Sequence, residues 1–95
     1  MFTISSQLYQ EIASRLRDAV GRNSYFSGSL EFAFEGTDCK LTASLVIYRK
    51  NVGMPDCPND VIDDVVPVWW EFATMRDGES VLNDFSFRDL KEFLL

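Results

Sequence analysis

The stretch YFSGSLEFAFEGTDCKLTASLVIY, residues 25–48, decides how this chain is read. Phe26, Gly28, Leu30, Phe32 and Phe34 alternate with Ser27, Ser29, Glu31, Ala33 and Glu35. Side chains of an extended backbone point to opposite faces in turn, so an apolar period of two predicts a half-buried strand. Gly36-Thr37-Asp38 supplies turn chemistry, after which Cys39, Leu41, Ala43, Leu45 and Ile47 alternate with Lys40, Thr42, Ser44, Val46 and Tyr48. The two runs predict a hairpin with one apolar face.

Upstream the period changes. Leu8, Ile12, Leu16, Ala19 and Val20 recur at helical spacing, with Gln10, Glu11, Ser14, Arg17 and Asp18 on the other side. This predicts an amphipathic helix over 7–20, capped by Ser5 or Ser6 and ended at Gly21, with Ile4 and Tyr9 positioned to staple its first turn.

Downstream, Gly53, Pro55 and Pro58 stand among Asp56, Asn59, Asp60 and Asp63, so 51–63 reads as the longest connection, with a short helical turn over 59–64. Residues 65–75 predict a third strand, Val66, Val68, Trp70 and Phe72 on one face and Val65, Pro67, Trp69, Glu71 and Ala73 on the other. Pro67 has no N–H for a ladder, which points to an edge strand or a bulge. Asp77-Gly78 marks a turn and 79–84 a short extension. Ser86, with Asp89 three positions on, reads as the cap of a last helix whose apolar face is Phe87, Leu90, Phe93 and Leu94, and Phe85 can staple to Leu90.

The expected fold is a single α+β domain over 1–95: two layers in the order α-β-β-β-α, a three-stranded antiparallel sheet with both helices on one face. Leu8, Ile12, Leu16, Leu90, Phe93 and Leu94 are expected to cover Phe32, Phe34, Leu41, Leu45, Ile47, Val68, Trp70 and Phe72. A chain of 95 residues, 46% hydrophobic and with eight Phe, two Trp and three Tyr, is suited to one core. That order of elements resembles the double-stranded RNA-binding domains. Their RNA contact needs a basic start to the second helix, whereas Asp84, Asp89 and Glu92 accompany Arg88 and Lys91 in this chain, so RNA binding is not carried over.

The net charge is −6, and the acidity lies in the C-terminal half: residues 1–50 carry six bases and five acids, 51–95 three and ten. Such a balance repels phosphate backbones and anionic lipid, so neither nucleic acid nor membrane is an expected partner. No window approaches the roughly 18 apolar residues that span a bilayer, and the start lacks a basic region and a long apolar run; a cytoplasmic protein is expected.

Chemistry is poorly provided for. The chain has no His and only two Cys, so a zinc site would need carboxylates or a symmetric interface. Cys57 lies between Asp56 and Asp60, where negative charge opposes thiolate formation, and Cys39 falls on the apolar face of its strand. The 56–64 loop is acidic but lacks the Asp-x-Asp-x-Asp-Gly pattern of a cation loop, and Gly28, Gly36, Gly53 and Gly78 are isolated, so the chain has no glycine-rich phosphate loop. No catalytic residue, metal or cofactor is expected.

Trp69 and Trp70 are adjacent, so one sheet layer cannot bury both. With Trp70 in the core, Trp69 joins Tyr48, Val46, Ala33 and Val65 on the other face, either as an exposed docking patch or beneath the long loop through Val52 and Met54. The expected function is a noncatalytic protein-interaction module whose partner is another protein or a second copy. Two alternatives stand beside it: an acidic mimic of nucleic acid that inhibits a DNA-binding protein, and a small cation-binding or enzymatic domain built on the 56–64 loop.

Overall fold

The computed structural model describes residues 2–51, 53 and 60–95. Helix α1 spans Ser6–Val20, followed by strands β1 (Tyr25–Phe34), β2 (Thr37–Asn51), β3 (Asp60–Arg76) and β4 (Glu79–Val81), and helix α2 (Phe87–Leu94). The strands form one antiparallel sheet in the order β1-β2-β3-β4. The α+β class is as expected, but the sheet has four strands rather than three. The fourth comes from the short extension after Asp77-Gly78, where both residues take positive φ and fold Glu79 back against Arg76. Asp-Gly suits this because a two-residue hairpin loop needs left-handed backbone at both positions.

Ser5 caps α1, its Oγ accepting from the Leu8 N–H at 3.2 Å, and Gly21 ends it at a φ of 57°. Ser86 takes the N-cap position of α2 but its side chain makes no capping bond. Its backbone N–H instead donates to Tyr9 Oη at 3.1 Å, so the start of α2 is held by tertiary structure. The turn between β1 and β2 is Glu35-Gly36, one step earlier than its composition suggests, with Thr37 already paired to Phe34.

Strands β2 and β3 are longer than their hydrophobic alternation. Residues 60–64, where a helical turn is expected, lie in β3, paired with Tyr48 to Asn51. Arg49, which extends this end of β2, donates from Nη2 to the carbonyls of Gly21 and Asn23 at 2.7 and 3.0 Å and so ties the end of the helix to the sheet.

The core lies between the helices and one face of the sheet. Leu8, Ile12 and Leu16 of α1 and Leu90 of α2 are fully buried over Leu41 and Leu45, with Cys39, Ile47, Phe72 and Phe87 beside them. Each such side chain contributes about 1.5–3 kcal/mol on removal from water. Phe85 links the layers, stacked on Phe72 at 4.4 Å and edge-on to Trp70 at 5.2 Å.

Behind β4 the chain is clamped by Asn83. Its Nδ2 donates to the Phe72 carbonyl and to Thr74 Oγ1, and its Oδ1 accepts from the Phe85 N–H. Phe2 pairs beside it, and Asp84 Oδ1 accepts the Ile4 N–H at 2.7 Å, which brings both terminal segments to the same sheet edge.

Candidate functional site

Among the described residues, helices cover one face of the sheet and leave the other open. That open face is built by the alternate residues of each strand, and the register decides which of them meet. Tyr25 lies opposite Val46, and Val46 opposite Val66. Ser44 sits between Ser27 and Trp69, and Tyr48 opposite Asp64. Same-face diagonal neighbours in paired strands lie within about 8 Å, so Trp69, Val46, Val66, Tyr25 and Tyr48 make one apolar and aromatic patch. Trp69 is 51% exposed and Tyr48 53%. Val52 and Met54, the alternative cover for Trp69, lie outside the described residues.

Of the five residues expected on this face, three are brought together: Trp69, Tyr48 and Val46. Ala33 shares the face but pairs with Asp38 near the turn, six β2 positions from Ser44 and hence about 20 Å from the patch. Val65 is on the other face, 2% exposed in the core. The cause is a bulge: Ser44 pairs with Trp69 but Leu45 with Pro67, so Val68 is the extra residue. One inserted residue reverses the facing of everything before it. Trp69 and Glu71 keep the expected open face and Phe72 the covered one, whereas Val65 and Pro67 change sides. Val68 and Trp70, both expected in the core, are 69% and 38% exposed, Trp70 lying against Phe85 and Phe87 at the margin of the core.

Two residues of the patch are not legible in the sequence: Tyr25 stands at a strand start with no cue to its pairing, and unbroken alternation places Val66 on the covered face. Pro67 is the available signal, because a proline inside an apolar run marks a disrupted ladder.

The charges around the patch are largely matched. Glu31 pairs with Lys40 at 3.3 Å and Asp63 with Lys50 at 3.4 Å, and Asp64 meets Lys91 of α2 at 2.7 Å. The Lys91 hydrogen bond holds the Asp64 carboxyl below its ordinary range, against a smaller opposing effect of desolvation. Toward the turn a shallow depression of about 480 Å³ is lined by Glu31, Ala33, Asp38, Lys40, Ala73 and Met75. On the covered face Cys39 is buried with its thiol toward the Thr37 carbonyl at 3.7 Å, and burial followed by the nearby Asp38 charge pushes its pKa up. A thiol held protonated in this way is a poor nucleophile.

Among the described residues no three His, Cys, Asp or Glu side chains converge as a metal site. Positions 56–59 of the acidic loop, Cys57 among them, lie outside those residues, and 60–64 run along β3. Among the described residues no helix is long and apolar enough to cross a membrane. Comparison with protein-family models, curated proteins and solved structures gives no significant match.

Proposed function

We propose that the protein is a noncatalytic protein-interaction module whose binding element is the open sheet face around Trp69. The observation that carries this reading is the grouping of half-exposed Trp69, Tyr48 and Tyr25 with Val46 and Val66 on the one face that, among the described residues, no helix covers. Tryptophan and tyrosine dominate interface energetics because each removes a large rigid surface from water at little conformational cost. Glu31, Lys40, Lys50 and Asp63 border this face and supply the polar rim typical of an interface. The same acid–base pairing weighs against mimicry of nucleic acid, which needs rows of uncompensated carboxylates.

The test is capture from native lysate with wild type and Trp69→Ala, each first shown to melt at the same temperature. A partner retained by wild type and lost by the variant supports the reading. Equal retention by both removes Trp69, and with it the patch, from the function.

A further inference from the structure

The two sides of the sheet end differently. The outer side of β3 is blocked at several steps. Thr74 and Arg76 pair with β4, the Phe72 carbonyl accepts from Asn83, the Val65 N–H donates to its neighbour's Asp64 Oδ1 at 2.8 Å, and Pro67 has no N–H. Two register shifts bend the strand further. These are the devices that keep an edge from pairing with another chain.

Strand β1 has none of them. It carries a single charge, Glu31, no proline, and an unbroken ten-pair register with β2. Because Glu35 and Gly36 form a two-residue loop, Phe34 and Thr37 are a hydrogen-bonded pair. By alternation Phe26, Gly28, Leu30 and Phe32 turn their backbone groups to β2, and Tyr25, Ser27, Ser29, Glu31 and Ala33 turn theirs outward. Among the described residues those outward groups have no backbone partner. On the core side of the same strand, Phe26, Leu30, Phe32 and Phe34 are only partly buried.

We infer that β1 pairs antiparallel with β1 of a second copy, joining two sheets into one of eight strands. A two-fold axis through Leu30 sets Ser29 against the partner's Glu31 and Ser27 against the partner's Ala33, giving about eight backbone bonds between copies. It sets the partner's Phe32 against Gly28, beside which the Phe26 ring of the same chain packs, and Phe26 against the partner's Phe34. Both helical layers then lie on one side, and the partly buried phenylalanines of the two copies close over each other. The occupant is a second copy because the contact is self-complementary. About Leu30 the apolar positions meet apolar ones, and the one charge of the strand, Glu31, meets the partner's Ser29 rather than a like charge. The pairing uses the strand edge and leaves the Trp69 face free on both copies.

Analytical ultracentrifugation across micromolar to millimolar concentration tests this with wild type, Ser29→Pro, Ser27→Pro and Trp69→Ala. Both proline positions face outward, so neither substitution removes a backbone bond to β2; each loses one side-chain bond, from Ser27 Oγ to Ser44 Oγ or from Ser29 Oγ to Thr42 Oγ1. Wild type and Trp69→Ala are expected at twice the 10.9 kDa chain mass, and each proline variant is expected to raise the dissociation constant by roughly a hundredfold. Amide exchange adds a readout that needs no variant: Ser27, Ser29 and Glu31 become protected as concentration rises. A monomeric wild type at millimolar concentration overturns the inference. So does a dimer split by Trp69→Ala but not by the prolines, or one in which those amides stay unprotected.

Discussion

The Ser86 backbone N–H donates to the Tyr9 hydroxyl at 3.1 Å, so a side chain of the first helix supplies the restraint that Ser86 itself does not. The Tyr9 ring lies parallel to Phe93, 5.7 Å between centroids, and against Phe85, which couples the two helices independently of the sheet.

Burial raises the Tyr9 pKa above its ordinary 10.0, with Asp89 and Asp84 adding to the effect and the Ser86 bond opposing it. The unfolded chain therefore loses the phenolic proton first, and stability falls as pH climbs from the ordinary value through the folded one. Tyr9→Phe is expected to cost about 1 kcal/mol at neutral pH and to flatten the alkaline part of the stability profile. Urea unfolding at pH 7 and at stepped pH above 9 measures both.

The adjacent tryptophans are expected to behave oppositely. Trp70 packs on Phe85 and Phe87, so Trp70→Ala should destabilise by about 2–3 kcal/mol. Trp69→Ala removes a half-exposed ring and should change stability by less than about 1 kcal/mol. Denaturation midpoints of the two variants, measured together, check the assignment of faces.

Lys91 and Asp64 join α2 to β3, and the depressed Asp64 pKa means that their stabilisation is present above the ordinary carboxylate range and lost as pH falls through the folded value. Lys91→Met should move the Asp64 pKa up toward 3.8 and weaken the acid dependence of stability. Carboxyl NMR titration of the variant reads the shift directly. An unchanged Asp64 titration would show that the pair is not formed in solution.

Glu35 adopts a φ of 49°, left-handed backbone that a glutamate tolerates poorly. Glu35→Asn places Asn-Gly in the two-residue turn and is expected to raise the melting temperature by about 2–5 °C. A drop in melting temperature would mean that the Glu35 side chain makes a contribution larger than its backbone strain.

Much of the architecture is legible in the residues because local periods and global packing agree. The helical spacing of Leu8, Ile12 and Leu16 and the two-residue alternation from Phe26 to Ile47 each name the face that meets the core. The fourth strand was less visible because Glu79–Val81 is too short to display a period. Its pairing depends on the Asp77-Gly78 turn and on Asn83, whose partners are Phe72 and Thr74 across the hairpin. The candidate site was legible in part for the same reason. Trp69, Tyr48 and Val46 could be placed by alternation, but Val66 and Tyr25 required the register between strands.

By itself the sequence determined the class, a serine cap at Ser5 or Ser6, a turn at Asp77-Gly78, the covered faces of α1 and β2, and the separation of Trp70 from Trp69. These follow from interactions a few residues long or from a period that any strand or helix must obey. Tertiary structure decided the bulge at Val68, which sent Val65 inward and Val66 outward, and it assembled the patch from three strands. It also decided which sheet edge is capped and which is open. A bulge inserts one residue without altering composition, and an edge is defined only by the strand that is missing beside it, so neither is written in the pattern of any one segment.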